Sequence, residues 1–224
     1  MQYTNLIIVA FPAGTGGKFL INCLGLSDNC CLQHAGLLEK QLNKQFSPQD
    51  KINYLIDRLD KISLSYNKNG VWDDLGLGDW ELFGEWKKWE NFTNKSHLFN
   101  HDKLLFMIAH NKENLQYLID KFPNNRRIYF DNYKKFFSWR FNNDSIYHTL
   151  PGAINHKIRD YVLDKPELIS FWDADDYLIK DIFMAKLKNF YNLLGLTDFN
   201  QNFIEMYYNK YMLTLEKIKN DRNN

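Results

Sequence analysis

Cysteine is scarce in this chain. Cys23, Cys30 and Cys31 are the only three in 224 residues, and two of them are adjacent. Three thiols cannot build a disulfide framework, and no C-x-x-C pair exists to start a zinc ribbon. Net charge is nearly absent as well, with 28 basic residues against 27 acidic and a formal +1. Dedicated nucleic-acid binders carry a clear basic excess, so no nucleic-acid partner is expected, although a local basic site for a small polyanion stays open. No window approaches the ~18–20 apolar residues of a membrane span. The opening Met1-Gln-Tyr-Thr-Asn5 also lacks the basic stretch of a signal peptide. The expectation is a cytoplasmic protein in a reducing compartment with no membrane partner.

What is present has the makeup of a folded domain. Apolar residues form 45% of the chain and aromatics 16%, with 17 Phe, 13 Tyr and 6 Trp, which excludes disorder for the bulk. The length suits one domain over 1–224 that carries an insertion, large enough to bury its own core. Asparagine (26) and lysine (22) are abundant, which AT-rich coding alone accounts for.

Leu6 to Phe11 is an apolar run dominated by β-branched residues, the pattern of a strand buried on both faces of a parallel sheet. Pro12-Ala-Gly-Thr-Gly-Gly-Lys18 follows, and Phe19-Leu-Ile-Asn-Cys-Leu24 starts a helix. Ser47-Pro48-Gln-Asp50 reads as a helix start, with Ser47 as cap, Pro48 in the first position and Asp50 in the positive first turn. Ile52, Leu55, Ile56, Leu59 and Ile62 share one face of that helix. Pattern fails over 67–100, where glycines alternate with Trp72, Trp80, Trp86 and Trp89. That stretch is read as an irregular, aromatic-rich insertion, either packed on the domain or lining an apolar or sugar-stacking pocket.

Further strands are expected at Lys103–His110, Arg127–Phe130 and Leu168–Trp172, with Asn111 capping a helix after the second. A helix is expected near Tyr133–Arg140. Two more close the chain, one over Asp176–Leu194 ending at the C′ glycine Gly195 and one over Asn200–Lys219, with a polar, frayed tail over Asn220–Asn224. Phe203, Ile204, Tyr207, Tyr208, Tyr211, Leu215 and Ile218 form the apolar stripe of the last helix. Strands alternating with helices predict an α/β fold, a mostly parallel sheet of four to five strands flanked by helices.

A glycine turn between a buried strand and a helix suits a phosphate-like anion. Backbone amides point inward, the helix N-terminus is positive, and Gly14, Gly16 and Gly17 admit close approach. Lys18 adds a full charge. The nucleotide-triphosphate loop reads G-x-x-x-x-G-K-[ST]. Here Pro12 stands at its first glycine and Phe19 at the hydroxyl that would hold Mg²⁺, so a Mg-dependent kinase or NTPase is disfavoured.

These residues resemble the sulfotransferase branch of the P-loop fold, which uses 3′-phosphoadenosine 5′-phosphosulfate without a metal. Its loop, roughly P-K-S-G-T-T-x-L, is similar to Pro12-Ala-Gly14-Thr15-Gly16-Gly17-Lys18-Phe19-Leu20, one residue longer and with Ala13 where the family lysine often stands. Met107-Ile-Ala-His110, then Pro123 and Ile128-Tyr-Phe130-Asp131-Asn132, resemble the family's strand-K-T-H and the later strand before R-N-P. His110 and Asn132 lie 22 residues apart, close to that pattern. The resemblance implies that His110 is the general base and that Lys18 stabilises the leaving phosphate. It implies that Gly14, Thr15, Gly16, Gly17, Lys18 and Phe19 cradle the phosphosulfate, and that Asn132, Ser138 and Arg140 hold the 3′-phosphate. Asn132 replaces the family arginine, which feeds a third reading, a degenerate nucleotide-binding module without catalysis. The implied donor is 3′-phosphoadenosine 5′-phosphosulfate, with a small-molecule or glycan acceptor bearing a hydroxyl or amine and no metal.

Other candidates carry blander readings. His97 and His101 have metal-ligand spacing but no third ligand, and His34, His148 and His156 have no supporting neighbours. Asp173, Asp175 and Asp176 could bind Mg²⁺ or cap a helix, and capping is preferred. Arg126 and Arg127 read as a solvated pair at a strand start.

Overall fold

The wholly apolar runs become two adjacent, fully buried strands of the sheet. The computed structural model describes residues 5–12, 15–32, 35–43, 46–69, 102–109, 112–141 and 165–223. Strands β1 (Leu6–Ala10) and β2 (Leu105–Ala109) are buried at every position. Strand β3 (Arg126–Phe130) is buried from its second residue, and β4 (Ile169–Trp172) is buried only at Trp172. They form a four-stranded sheet in the order β2-β1-β3-β4. All three pairings are parallel, as an α/β chain with helical connections requires. Ala10 lies opposite both Ala109 and Tyr129, and Phe130 lies opposite Trp172, so the carboxyl ends share one edge. The amide of Phe11 donates to Ala109 O at 3.1 Å and extends the β1–β2 ladder by one residue.

The chain divides into two compact units. One is drawn from Met1–Gly17 and Glu81–Ile179, the other from Lys18–Trp80 and Lys180–Asn224. The first, the sheet unit, holds the four strands together with α4 (Lys112–Lys121) and α5 (Lys134–Phe141). The second, the helical unit, holds α1 (Gly17–Gly25) beyond its first residue, α2 (Ala35–Leu42) and α3 (Pro48–Asn69). It also holds α6 (Lys180–Leu194) and α7 (Gln201–Asn223).

Local chemistry sets the helix ends. Pro48 is the first residue of α3. The amide of Asp50 donates to Ser47 Oγ at 3.2 Å, while the amide and hydroxyl of Ser47 donate to the Asp50 carboxylate at 2.9 and 2.6 Å. These bonds hold the exposed Asp50 carboxyl below its ordinary pKa. Gly195 follows α6 at φ +68°, as expected of a C′ glycine.

Several expectations need correction. The helix expected from Asp176 begins instead as a 3₁₀ turn over Ala174–Leu178, breaks at the extended Ile179 and resumes as α6 at Lys180. Leu168 belongs to the 3₁₀ turn Pro166–Leu168 rather than to β4. The last helix continues through Asn223, beyond Lys219, where it was expected to end. Arg127 is not solvated. It is buried, and its guanidinium donates to Pro123 O at 3.0 Å. Strand alternation turns Arg127 and Arg126 to opposite faces, and only Arg126 is exposed.

The helical unit is filled by aromatic rings and by one buried cation. Phe19 stacks on Tyr211 with centroids 4.1 Å apart and planes at 10°, and lies within 5.4 Å of both Phe183 and Tyr207. The Tyr207 hydroxyl accepts from the Asn22 amide at 2.9 Å, and burial pushes that phenol well above its ordinary pKa. Lys51, 1% exposed, donates to the carbonyls of Gly25, Ser27 and Cys30 at 2.9, 2.6 and 2.8 Å. Its ammonium therefore faces the negative end of α1 and ties α3 to the turn that follows it. Helix α3 packs along α7, where Lys210 pairs with Asp60.

Candidate anion-binding site

Strand order identifies the edge where a ligand can sit. From β1 the chain goes to the neighbour on one side, and from β3 it goes to the neighbour on the other. Ligands of open parallel sheets bind outside the carboxyl ends at such a switch point. Here that point lies beyond Ala10 and Phe130, and the turn after β1 is the glycine turn.

The described part of this turn is held tightly from within the sheet unit. Thr15, fully buried, donates from both its amide (3.3 Å) and its hydroxyl (2.7 Å) to Pro12 O. Gly16 has φ +80°, and a Cβ there would stand 2.7 Å from Tyr177 Cε2 and 3.1 Å from Phe136 Cε1. A Cβ on Gly17 would stand 2.2 Å from the Phe11 ring. Both glycines are thus required by the protein's own rings on that side. Tyr177, fully buried, donates its hydroxyl to Gly16 O at 3.1 Å.

Helix α1 begins at Gly17, and its first turn contains no acidic side chain. Lys18, its second residue, is half-buried with the ammonium nitrogen screened from water. A cation at the positive end of a helix is the reverse of the usual preference. Phe19 is the next residue, but its ring belongs to the aromatic core of the helical unit, so only its main chain is available to a ligand.

Beyond β3, Asn132 links two strand ends. Its side chain donates to the Asp173 carboxylate at 2.9 Å, and its carbonyl accepts from the amides of Ala174 and Asp175 at 2.6 and 3.3 Å. The Asp173 carboxylate also accepts from the Asp175 amide at 3.0 Å, capping the 3₁₀ turn. Asp175 reaches across to accept from the amide of Phe136 at 2.9 Å, in the first turn of α5. Two of the three clustered aspartates are therefore caps, and among the described residues no group of three His, Cys, Asp or Glu is placed to hold a metal. Ser138 and Arg140 lie in α5, both half-buried, with Arg140 in the last turn.

Gly14 and His110 lie outside the described residues, as do Asn111, the other five histidines and the four tryptophans of 67–100. The sheet brings together Thr15, Gly16, Gly17 and the end of β3 at one edge. It adds Phe136 and Tyr177, which sequence reasoning missed, and Asp175, whose preferred reading as a cap agrees with its bond to the Phe136 amide. For Tyr177 the one available signal was position, since Asp173–Tyr177 directly follows a strand.

Two buried groups on β3 are coupled. Burial raises the Tyr129 phenol to about 12, against the opposing pull of the Arg127 guanidinium. Among the described residues no helix is long and apolar enough to cross a membrane. Compared with known proteins, the chain matches no family model, no curated protein and no solved structure.

Proposed function

We propose that the chain is a sulfotransferase that binds a phosphoadenosine-type nucleotide at the carboxyl edge of its sheet. One observation carries the reading. The glycine turn leaves the strand at the switch point, between the strand that precedes His110 and the strand that precedes Asn132. The residues around the turn fit an anion. The carbonyls of Pro12 and Gly16 are bonded to protein donors, and α1 opens with a lysine and no carboxylate.

In this reading Gly16, Gly17 and the first amides of α1 hold the phosphosulfate. Lys18 balances charge that builds on the bridging oxygen during transfer. The donor 3′-phosphoadenosine 5′-phosphosulfate supplies the sulfuryl group, and the acceptor is a hydroxyl or amine of a small molecule or glycan. His110 takes the acceptor proton, which requires the neutral imidazole. Asn132, Ser138 and Arg140 are the candidates for the 3′-phosphate.

A second reading has its own observation. The glycines are already filled on one side by Phe11, Phe136 and Tyr177, as they would be in a turn that serves packing and binding without catalysis.

Thermal-shift titration separates the readings. Adenosine 3′,5′-bisphosphate without metal is expected to stabilise the protein, by about 2.7 kcal/mol at a hundred times its dissociation constant. Stabilisation by ATP with Mg²⁺ alone would transfer the assignment to kinases. His110→Ala should keep nucleotide binding and lower sulfuryl transfer by ~10²–10⁴. Binding without transfer to any hydroxyl or amine acceptor would favour the non-catalytic module.

A further inference from the structure

We propose that Tyr177 is a positioning residue that aims the Gly17 amide at the bound anion, an inference that rests on reading the glycine turn as a phosphate site. A trans peptide directs its C=O and N–H to opposite sides of the chain. The carbonyl of Gly16 and the amide of Gly17 belong to one such peptide. The Tyr177 hydroxyl fixes the carbonyl at 3.1 Å, so the Gly17 N–H points away from Tyr177. Gly16 at φ +80° is a position where the peptide could otherwise turn over. A turned peptide would present the negative oxygen, not the N–H, to an anion. A carbonyl that accepts a hydrogen bond also polarises its peptide, which strengthens the N–H as a donor.

The hydroxyl is itself held in place. The Tyr177 ring meets Phe136 edge-on, with centroids 5.0 Å apart at 77°, and lies 5.9 Å from Trp172. The turn that carries it is anchored to Asn132 O through the amide of Ala174 and to the Phe136 amide through Asp175. The ends of β3 and β4 thereby set the direction of an amide at the end of β1.

The test uses the full ¹⁵N-labelled chain as wild type, Tyr177→Phe and Asn125→Ala. The Asn125 side chain donates to Leu6 O at 2.8 Å, an equally buried bond at the opposite end of β1. Adenosine 3′,5′-bisphosphate is titrated by calorimetry, and the Gly17 amide shift is read in the unliganded protein. Tyr177→Phe keeps the ring, and is expected to move the Gly17 proton upfield and weaken binding about tenfold, the effect of one hydrogen bond. Asn125→Ala is expected to lower thermal stability while leaving both readings at wild-type values. If Tyr177→Phe leaves shift and affinity unchanged while wild type binds, the role of Tyr177 is overturned and the site survives. Equal weakening by Asn125→Ala would also overturn it, by reducing the effect to general stability. If wild type does not bind, the phosphate-site reading itself fails.

Discussion

In the sheet unit, polar contacts join loops that are far apart in sequence. Tyr177 reaches Gly16, Asn132 reaches Asp173, and Asp175 reaches Phe136, all at the carboxyl edge. In the helical unit stacked rings around Phe19 and an ammonium ion enclosed by three carbonyls fill the interior, and the buried long-range links, Asn22 to Tyr207 and Tyr191 to Cys23, run between helices rather than between loops. The difference separates two ways of holding a structure together. Rings fill volume and tolerate no gap, whereas short polar links fix the directions of individual amides and carbonyls. Candidate chemistry belongs with the second kind.

The largest break in this comparison should come from Lys51→Met. Three buried carbonyls lose their donor, for an expected loss of about 3–5 kcal/mol in denaturant unfolding, with exchange protection falling first in α1 and α3. A loss below about 1 kcal/mol would mean that water reaches those carbonyls.

Glycines at positive φ sharpen the contrast. Gly16→Ala meets both left-handed strain and the Tyr177 ring, so about 2–3 kcal/mol is expected. At Gly195 nothing lies within 4 Å of the added carbon, and the same substitution should cost only the backbone term, about 1 kcal/mol. Equal costs in paired melting experiments would remove the crowding argument for the glycine turn.

A smaller effect is expected in alkali. The folded-state pKa of Tyr129 lies above its unfolded value of 10.0, at about 12. The protonated phenol therefore contributes its full stability below pH 10, and that contribution fades as pH rises towards 12. At pH 11 the loss is about 1 kcal/mol, and Tyr129→Phe should remove this part of the pH dependence.

Strands were legible because a buried parallel strand needs an unbroken apolar run, and Leu6–Ala10 and Leu105–Ala109 supply it within one turn of chain. The start of α3 and the stop of α6 were legible because Pro48 and Gly195 act through their own backbones. Strand order was not written locally, since β1 pairs with residues about a hundred positions away. Arg127 read as a solvated charge because a sequence window shows charge but not the carbonyl that accepts from it. At the candidate site the glycines, Lys18 and Asn132 were visible as types in a pattern. The bond from Tyr177 to Gly16 spans 161 positions and depends on where β4 joins the sheet.

All three cysteines fall in the helical unit, and each is buried with none in a disulfide. Burial also raises the Cys23 thiol well above its ordinary pKa, which suppresses the reactive thiolate. The protein therefore carries a built-in clock for one half of itself. A thiol reagent in excess reacts only with molecules whose helices have parted, so the rate at which label appears counts those openings. The sheet unit contains no sulfhydryl and contributes nothing to that signal.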